Sequence, residues 1–333
     1  MTLRITVDQS GHGRGRGRGR GVWKDQSSFV VNQIIMKIIV SGASGLVGSA
    51  LVPALGAAGH EVVRLVRTST RNPSGESVWD PATGTLDSAV INGANVVINL
   101  NGRSIAEGRW TSEVKEELRS SRLDSTRTLV QAIGNSENPP GLLISASAVG
   151  YYGDRGDEQL DESSEIGAGY LAELSGDWET AALAARSEQT RVVLLRLGVV
   201  VARGGALGRM LTPFKLGLGG PIGSGHQFWP WIGIEDVCGI IKFILDHKEV
   251  EGPVNAVAPQ EIRCSDFTRT LGRVLSRPAF MPLPAFAARL ALGEMADSLL
   301  LASQRVRPQV LEYHGYPFKR PSLDGAIRSA LST

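Results

Sequence analysis

The sequence predicts an α/β fold, a doubly wound parallel sheet followed by a smaller, mainly helical C-terminal part. Three observations lead to this prediction. From Met36 onward, short apolar runs alternate with amphipathic stretches, which is typical of a parallel sheet covered on both faces. A glycine-rich turn, "GASGLVG", joins the first apolar run to the first amphipathic stretch. After residue 205 glycine and proline become frequent, and the pattern then becomes mainly helical.

The elements follow one another in a regular order from Met36. "KIIV" predicts a buried strand, and "LVGSALVPALGAAG" predicts a helix that ends near Gly59. "EVVRLVR", "NVVINL", "GLLISAS" and "RVVLLRLGVVV" predict further strands, with helices at about 111–133 and 170–187. In the C-terminal part, "PAFAARLALGEMADSLLLASQRV" is one long apolar-faced stretch. We therefore predict a nucleotide-binding domain at 36–205 and a part that closes over it at 206–333.

Composition excludes several classes of protein. The 333 residues are 42% hydrophobic and 20% charged, which is ordinary for a globular chain with a sizeable core. The two cysteines, Cys238 and Cys264, form neither a disulfide framework nor a zinc spacing, and this favours a reducing, cytoplasmic location. No apolar run approaches the roughly 18 residues that span a bilayer, and because the first residues contain no apolar h-region, we do not expect them to act as a secretory signal. The sequence therefore predicts no membrane partner.

Residues 1–35 differ from the rest of the chain. The tract "GHGRGRGRGR" holds four arginines and no acid. We interpret this segment as a disordered extension, because it offers little apolar surface to bury. An RNA-binding arm is the alternative, but one short tract without aromatic residues favours the first interpretation. Without the tract the chain is close to neutral, so no nucleic-acid partner is predicted.

The spacing of Gly42, Gly45 and Gly48 indicates a dinucleotide site. They follow a strand and open a helix, which is the context that gives this motif its meaning. The first glycine permits a tight turn, the second lets the backbone approach a pyrophosphate, and the third allows close helix–strand packing. The sequence therefore predicts a Rossmann-like domain whose phosphate loop comprises Gly42, Ala43, Ser44, Gly45, Leu46, Val47 and Gly48.

The end of the second strand favours NADP over NAD. An NAD site usually places an acidic residue there to hold the 2′-hydroxyl of the ribose. Here Val66 is followed by Arg67. A guanidinium can bind a 2′-phosphate through two hydrogen bonds, whereas a carboxylate would repel it.

Several segments together resemble one known group of proteins. They are "SGASGLVG", "VVINLNG", "GRWTSEVKEELRSSRLDSTRTLV", "SASAVGYYG", "GLGGPIGSGHQFWPWIGIEDV", "GPVNAVAP" and "LASQRVRP". The group is the atypical short-chain dehydrogenase/reductases labelled epimerase family protein, or sugar-nucleotide epimerase-like, some of which are labelled cell-division inhibitor. The resemblance covers about residues 36–331.

This resemblance implies an NADP-binding domain and a set of further contacts. Asn101 departs from the small residue that relatives carry in "NLAG". Arg122 lies on the helix that passes over the cofactor. The implied contacts beyond the glycine loop are Val66, Arg67, Leu100, Asn101, Glu117, Arg122 and Val200.

Catalytic residues are harder to assign from the sequence. Short-chain dehydrogenases use a serine or threonine with a tyrosine and a lysine spaced Tyr-x-x-x-Lys. Ser147 fits the first role, with Ser145 as the alternative, but the Tyr–Lys pair is missing. The position four after Tyr170 is Leu174, and no lysine lies between residues 115 and 215.

We therefore predict Tyr151 as the proton donor, with Ser147 binding the substrate oxygen. Arg122 is the predicted cation beside Tyr151, and Tyr170 and His226 are the alternatives to Tyr151. The segment "GSGHQFWPWIGIED" is interpreted as a substrate wall, in which Trp229 and Trp231 offer stacking surfaces. An acidic loop fits no EF-hand and is predicted to be solvated, without a metal. Its members are Asp154, Asp157, Glu158, Asp161 and Glu162.

Two functions follow from these residues. The first is an NADP-dependent oxidoreductase or epimerase-like enzyme that acts on a small polar substrate or a nucleotide sugar. The second is a regulator that binds NADP without turnover. This alternative remains because the lysine of the Tyr-x-x-x-Lys pair is missing.

Overall fold

The computed structural model describes residues 35–69 and 74–332. Within these ranges the chain forms twelve strands. They are β1 Lys37–Ser41, β2 Glu61–Val66, β3 Glu76–Asp80, β4 Thr85–Leu86, β5 Val96–Asn99, β6 Leu142–Ala148, β7 Gln159–Leu160, β8 Arg191–Leu197, β9 Val199–Val201, β10 Trp231–Gly233, β11 Gly252–Ala256 and β12 Arg305–Val306. Apart from Ile35, the extension predicted at 1–35 lies outside the described residues.

The same ranges contain ten α-helices. They are α1 Leu46–Ala57, α2 Ser88–Ile91, α3 Ser112–Gly134, α4 Tyr170–Leu183, α5 Gly205–Lys215, α6 Ile234–Asp246, α7 Cys264–Leu275, α8 Ala285–Leu292, α9 Gln309–Tyr313 and α10 Leu323–Ser332. A 3₁₀ turn spans Val149–Tyr152, and a π-helical turn spans Ala296–Leu301. Helices predicted at 111–133 and 170–187 are confirmed as α3 and α4, although α4 already ends at Leu183. No helix within the described ranges is both long enough and apolar enough to cross a membrane.

Eight strands form one sheet in the order β11–β8–β6–β5–β1–β2–β3–β4. The pairs are parallel except for the antiparallel pair of β3 with β4. The chain moves outward from β1 through β2 and β3, and then returns to the other side of β1 with β5. Ligands of such sheets bind outside the carboxyl ends of the strands at this reversal. The predicted doubly wound α/β fold is therefore confirmed.

Strand β1 shows why its sequence is apolar throughout. Ile38 and Val40 belong to a core shared with α1 and α6, whereas Ile39 belongs to a second core that includes Leu129 of α3. Successive side chains of a strand point to opposite faces. Because helices cover both faces, every position is buried and no polar alternation remains.

The C-terminal half contributes to this sheet and adds helices to it. Strand β11 pairs with β8 at the edge of this sheet, whereas β10 pairs with β9 in a separate two-stranded sheet. The predicted division at residue 205 stays a prediction. The apolar stretch of residues 284–306 is not one long element, because α8 ends at Leu292 and Gly293 adopts a φ of 64°. A residue in this conformation ends a helix, and glycine adopts it without steric cost.

Candidate functional site

The glycine turn after β1 is packed too tightly for side chains. Gly42 has a φ of 70°, and a Cβ on it would lie 2.5 Å from the carbonyl oxygen of Leu100. A Cβ on Gly48 would overlap the carbonyl oxygen of Gly42 and the backbone of Ala43. The turn therefore lies directly against the chain that follows β5, and the start of α1 lies directly against the turn.

The first turn of α1 fits an anionic group. Its N-cap, Gly45, offers no side-chain acceptor, and no acidic residue lies in the first turn. Ser44, Gly45 and Leu46 are exposed, whereas Val47 is buried in the core. The first N–H groups of a helix lack partners within the helix and carry partial positive charge. This backbone arrangement suits the pyrophosphate of a dinucleotide.

The chain segments after β2 and β5 flank the glycine turn. Strand β1 pairs with β2 on one side and with β5 on the other, so Val66–Arg67 and Leu100–Asn101 border the loop. Arg67 is exposed beyond the end of β2. Its neighbour Arg64 is held by an ion pair with Glu76 at 2.8 Å. The predicted cofactor contacts of these residues, and that of Val200 in β9, stay predictions.

The two predicted residues of α3 occupy different environments. Glu117 is exposed and forms an ion pair with Arg103. Arg122 is buried, and its guanidinium donates to the carbonyl oxygens of Leu118 (2.9 Å) and Arg103 (3.0 Å). Burial lowers the pKa of Arg122 to about 10. The Arg122 side chain also lies against Gly102, so it supports the loop after β5. Cofactor contact by either residue stays a prediction.

Three polar residues line up across the sheet near its carboxyl edge. Ser147 of β6 is the cross-strand partner of Arg196 in β8, and Arg196 is the partner of Asn255 in β11. All three are buried. Residues paired in this way project from the same face of a sheet, so their side chains meet.

Two further residues complete this group, which we call the polar cluster. The Ser147 hydroxyl donates to Oε1 of Glu179 at 2.6 Å, and Arg196 donates to both carboxylate oxygens of Glu179 at 2.8 and 2.9 Å. Nη1 of Arg196 donates to the Tyr152 hydroxyl at 2.9 Å, and that hydroxyl donates to Oδ1 of Asn255 at 2.8 Å. The five side chains therefore form one continuous hydrogen-bonded network.

The charged groups of the polar cluster are shielded from solvent. The side chains of Arg196 and Glu179 are only 4% and 7% exposed. Such a pair is tolerated because its geometry is bidentate and its remaining groups are satisfied. Burial raises the pKa of Tyr152 to about 12. Tyr152 therefore stays protonated at neutral pH and acts as a hydrogen-bond donor within the cluster.

The structure corrects the predicted surroundings of Tyr151. Its ring stacks on the guanidinium of Arg196 with Cζ 3.6 Å from the ring centroid. The cation beside Tyr151 is thus Arg196, and the prediction that Arg122 fills this place is wrong. The neighbouring Tyr152, not Tyr151, provides the hydroxyl of the cluster. The catalytic roles of Ser147 and Tyr151 stay predictions.

The alternative candidates Tyr170 and Ser145 form hydrogen bonds outside the polar cluster. The Tyr170 hydroxyl donates to the carbonyl oxygen of Lys115 at 2.7 Å, and the Lys115 ammonium lies 4.9 Å from the Tyr170 ring centroid. A lysine therefore does lie beside this tyrosine, although it is far away in the sequence. Burial raises the pKa of Tyr170. Ser145 accepts a hydrogen bond of 3.4 Å from Asn99 and does not join the polar cluster.

The predicted stacking surface for substrate is wrong. Trp229 and Trp231 are buried in the core. Their indole N–H groups donate to the carbonyl oxygens of Leu300 (3.2 Å) and Gln260 (3.0 Å). His226 of the same segment is exposed. The tryptophans of "HQFWPW" therefore hold the C-terminal part in place.

The acidic loop after the 3₁₀ turn is only partly solvated. Glu162 is buried, and its Oε1 accepts hydrogen bonds from the backbone N–H groups of Asn255 (2.9 Å) and Val310 (3.3 Å). Asp154 accepts one from the N–H of Ser303 at 3.1 Å. The prediction of a solvated loop is therefore wrong for Glu162, since this carboxylate ties the loop to the C-terminal segment.

Sequence reasoning missed most of the polar cluster, although a signal was present. Arg196 interrupts the otherwise apolar strand "RVVLLRL". A charge in a strand buried on both faces requires an opposite charge nearby, and Glu179 is an acidic residue in the middle of the preceding helix. Asp177 lies only two residues from Glu179, so the sequence could not show which of the two acids would reach Arg196. In the structure Asp177 pairs with Arg119 instead.

The structure places a glycine turn where the strand order of the parallel sheet reverses, and a buried serine two strands away. This combination is typical of one class of proteins. The molecule is a Rossmann-like dinucleotide-binding protein of the short-chain dehydrogenase/reductase type. A family model described as "NAD dependent epimerase/dehydratase family" matches residues 38–257, and one described as a domain of unknown function, DUF1731, matches residues 283–330. The chain belongs to the NAD dependent epimerase/dehydratase family.

Relatives extend over nearly the whole molecule. An epimerase family protein of Mycobacterium bovis is 41% identical over 291 residues, covering 87% of this chain and 96% of its own length. Human epimerase family protein SDR39U1 is 37% identical over 302 residues, covering 89% and 100%. A crystal structure of human SDR39U1 (isoform 2) with NADPH has a TM-score of 0.81 at 36% identity and covers 90% of this chain and 100% of its own. The predicted resemblance to the epimerase family proteins is confirmed.

Proposed function

We propose that this protein is an NADPH-dependent oxidoreductase or epimerase-like enzyme that acts on a small polar substrate. The cofactor binds at the glycine turn, with its pyrophosphate at the N-terminus of α1 and its 2′-phosphate near Arg67. Bound NADPH in the human relative and the exposed cation after β2 support this assignment. When bound, NADPH supplies a hydride from its nicotinamide ring.

The observation that carries the proposal is the position of Ser147. It lies in the penultimate position of β6, at the carboxyl edge where a nicotinamide would bind. Its hydroxyl proton is donated to Glu179 in this structure, and rotation of the hydroxyl lets Ser147 donate that proton to the oxygen of a substrate carbonyl instead. Arg196 keeps the Glu179 carboxylate paired, so Glu179 orients Ser147. Tyr151, half-buried on Arg196, is the proposed proton donor.

One observation favours the regulator without turnover. No tyrosine of this chain is followed by a lysine at the fourth position, and the Tyr152 hydroxyl is committed to the polar cluster. If Tyr151 does not transfer protons, the site binds the cofactor without using it.

Turnover of small carbonyl compounds and nucleotide sugars separates the two functions. The protein is incubated with NADPH and each carbonyl compound while the NADPH absorbance is followed, and with NADP⁺ and each nucleotide sugar while the sugar products are analysed, because epimerisation regenerates the cofactor and leaves its absorbance unchanged. An active substrate allows Ser147→Ala and Tyr151→Phe to be compared with Tyr170→Phe as the matched control. The first two should lower the rate about 100-fold or more with unchanged NADPH affinity. A fully active Tyr151→Phe variant would exclude the phenol role, and absence of turnover across the panel favours the regulator.

A further inference from the structure

A surface cavity of about 260 Å³ lies between α1, α6 and the segment that precedes α10. Helix α1 contributes Ala50 and Ala54 to its lining, and the segment before α10 contributes Lys319. The residues that α6 contributes are Ile234, Glu235, Cys238, Gly239 and Lys242. We call this space the α1–α6 cavity.

The α1–α6 cavity is separate from the glycine turn. Leu46, the first residue of α1, is followed at intervals of four by Ala50 and Ala54, so the three lie on one side of the helix. At a rise of 1.5 Å per residue, Ala50 and Ala54 lie about 6 and 12 Å along the helix from Leu46. The residues that line the cavity are therefore not those assigned to the cofactor.

Lys319 is positioned through its backbone, which leaves its side chain available for a ligand. The buried carboxylate of Asp236 accepts hydrogen bonds from the backbone N–H groups of Lys319 at 2.7 Å and Arg320 at 2.8 Å. The same carboxylate accepts one from the Tyr316 hydroxyl at 3.0 Å. Residues 316–320 are therefore held against the first turn of α6 by groups other than the Lys319 ammonium.

The ammonium groups of Lys242 and Lys319 lack an opposite charge. Within residues 35–69 and 74–332, neither ammonium forms an ion pair or a hydrogen bond. Glu235, the acid that lines the cavity, instead pairs with Arg320 at 3.4 Å and accepts a hydrogen bond from Ser329. Two like charges beside one cavity repel each other, so an anion between them would stabilise the arrangement.

Both ammonium groups act on the same point, the thiol of Cys238. Burial raises the pKa of this thiol to about 11, and the positive charges of Lys242 and Lys319 act in the opposite direction. Lys242 follows Cys238 by four residues, so both lie on the same side of α6. The two charges therefore converge on one part of the cavity, one from α6 and the other from the segment before α10.

We propose that the α1–α6 cavity binds a small phosphate monoester, with its phosphate group between Lys242 and Lys319. A phosphate of this kind carries about −1.5 to −2 charges at neutral pH, which matches two ammonium groups, whereas a single carboxylate carries one. Lysine binds phosphate as a compact point charge. The apolar lining by Ala50, Ala54 and Ile234 suits the organic part of the ester. The ligand is small, because pockets for drug-sized ligands have roughly 300–1,000 Å³.

Isothermal titration calorimetry of the full-length protein with inorganic phosphate and with glycerol 3-phosphate tests this proposal. Saturating NADPH is present, so that the glycine turn and Arg67 do not take up the probe, and the ionic strength is held constant. The wild type should bind one equivalent of either probe. The double variant Lys242→Met/Lys319→Met should weaken binding about 10-fold or more, because two charge-assisted contacts are lost. Lys248→Met, at an exposed lysine just beyond α6, is the matched control and should bind like the wild type.

A second double variant separates loss of charge from loss of structure. Lys242→Arg/Lys319→Arg keeps both charges and should retain binding, and thermal melting without phosphate should be similar for all variants. The comparison between variants holds whether or not NADPH binds, because none of them alters the glycine turn.

Three outcomes would overturn the proposal. The first is a wild type that shows no saturable binding of glycerol 3-phosphate. The second is a folded Lys242→Met/Lys319→Met variant that binds the probes as tightly as the wild type, which would place the phosphate elsewhere. The third is tighter binding of succinate than of glycerol 3-phosphate, which would assign the cavity to carboxylates instead.

Discussion

The glycine turn after β1 and the polar cluster around Ser147 lie at the same carboxyl edge of one sheet but are built differently. The turn is made of backbone from one short segment, and its shape depends on the lack of side chains at Gly42 and Gly48. The cluster is made of side chains from five separate elements, held by a buried ion pair. The shape of the turn thus depends on the backbone of a few neighbouring residues, whereas the polar cluster depends on distant parts of the chain.

The largest expected effect is on the stability of the polar cluster. Glu179→Ala leaves the Arg196 guanidinium buried without its partner, so the free energy of unfolding should fall by about 3–5 kcal/mol. Glu173→Ala, an exposed position of the same helix, is the control and should change it little. Denaturant unfolding measures both. The double variant Glu179→Leu/Arg196→Met should recover much of the loss, and a failure to do so would mean that the cluster contributes more than paired charge.

The next-largest effect is on NADPH affinity and concerns Arg67, which lies beside the glycine turn. Arg67→Ala should weaken NADPH binding roughly 10- to 100-fold, because one charge-assisted contact to the 2′-phosphate is lost. Binding of NADH, which lacks this phosphate, should not change. Titration of both nucleotides against both proteins provides the measurement. Equal affinities of the wild type for NADPH and NADH would contradict the assignment of Arg67.

A smaller effect separates backbone shape from helix propensity in α1. Gly48→Ala forces a Cβ against the backbone of Gly42 and Ala43, so stability should fall by about 1–3 kcal/mol and NADPH affinity should fall with it. Gly56→Ala in the same helix has open space around its Cβ, so it should be neutral or slightly stabilising. Thermal melting and NADPH titration of the two variants test this contrast. Similar behaviour of both would show that the turn can relax.

The smallest predicted effect is a pH dependence of the free energy of unfolding. It arises from Glu162, which accepts a hydrogen bond from the backbone of Asn255 in the polar cluster. Burial raises the pKa of Glu162, and its Oε2 has no hydrogen-bond partner within the described residues. Because the folded-state pKa lies above the unfolded one, the stability linked to this group is present below the unfolded pKa and is lost as pH rises through the folded pKa. Glu162→Gln cannot ionise, so the wild type should lose stability relative to this variant between about pH 4 and neutrality. Denaturant unfolding across that range tests the difference, and a constant difference would contradict it.

The sequence by itself determined the sheet, the dinucleotide turn and the family. Apolar runs of strand length and a glycine spacing between strand and helix are local patterns, because backbone geometry within a few residues requires them. That is why β1, α1 and the position of Arg67 after β2 could be predicted. It is also why a buried strand could be recognised in "RVVLLRL" while the partner of its arginine could not.

Only the tertiary structure decided how the side chains of the second region are used. Strand register placed Arg196 beside Ser147 and Asn255, and the seating of α4 selected Glu179 over Asp177 as its partner. The same packing buried Trp229 and Trp231, which the sequence had offered as substrate contacts, and turned Phe286 and Leu290 toward solvent. These outcomes depend on contacts between residues far apart in the chain. Their free energies come from burial and pairing, and composition or short-range spacing does not encode which groups will meet.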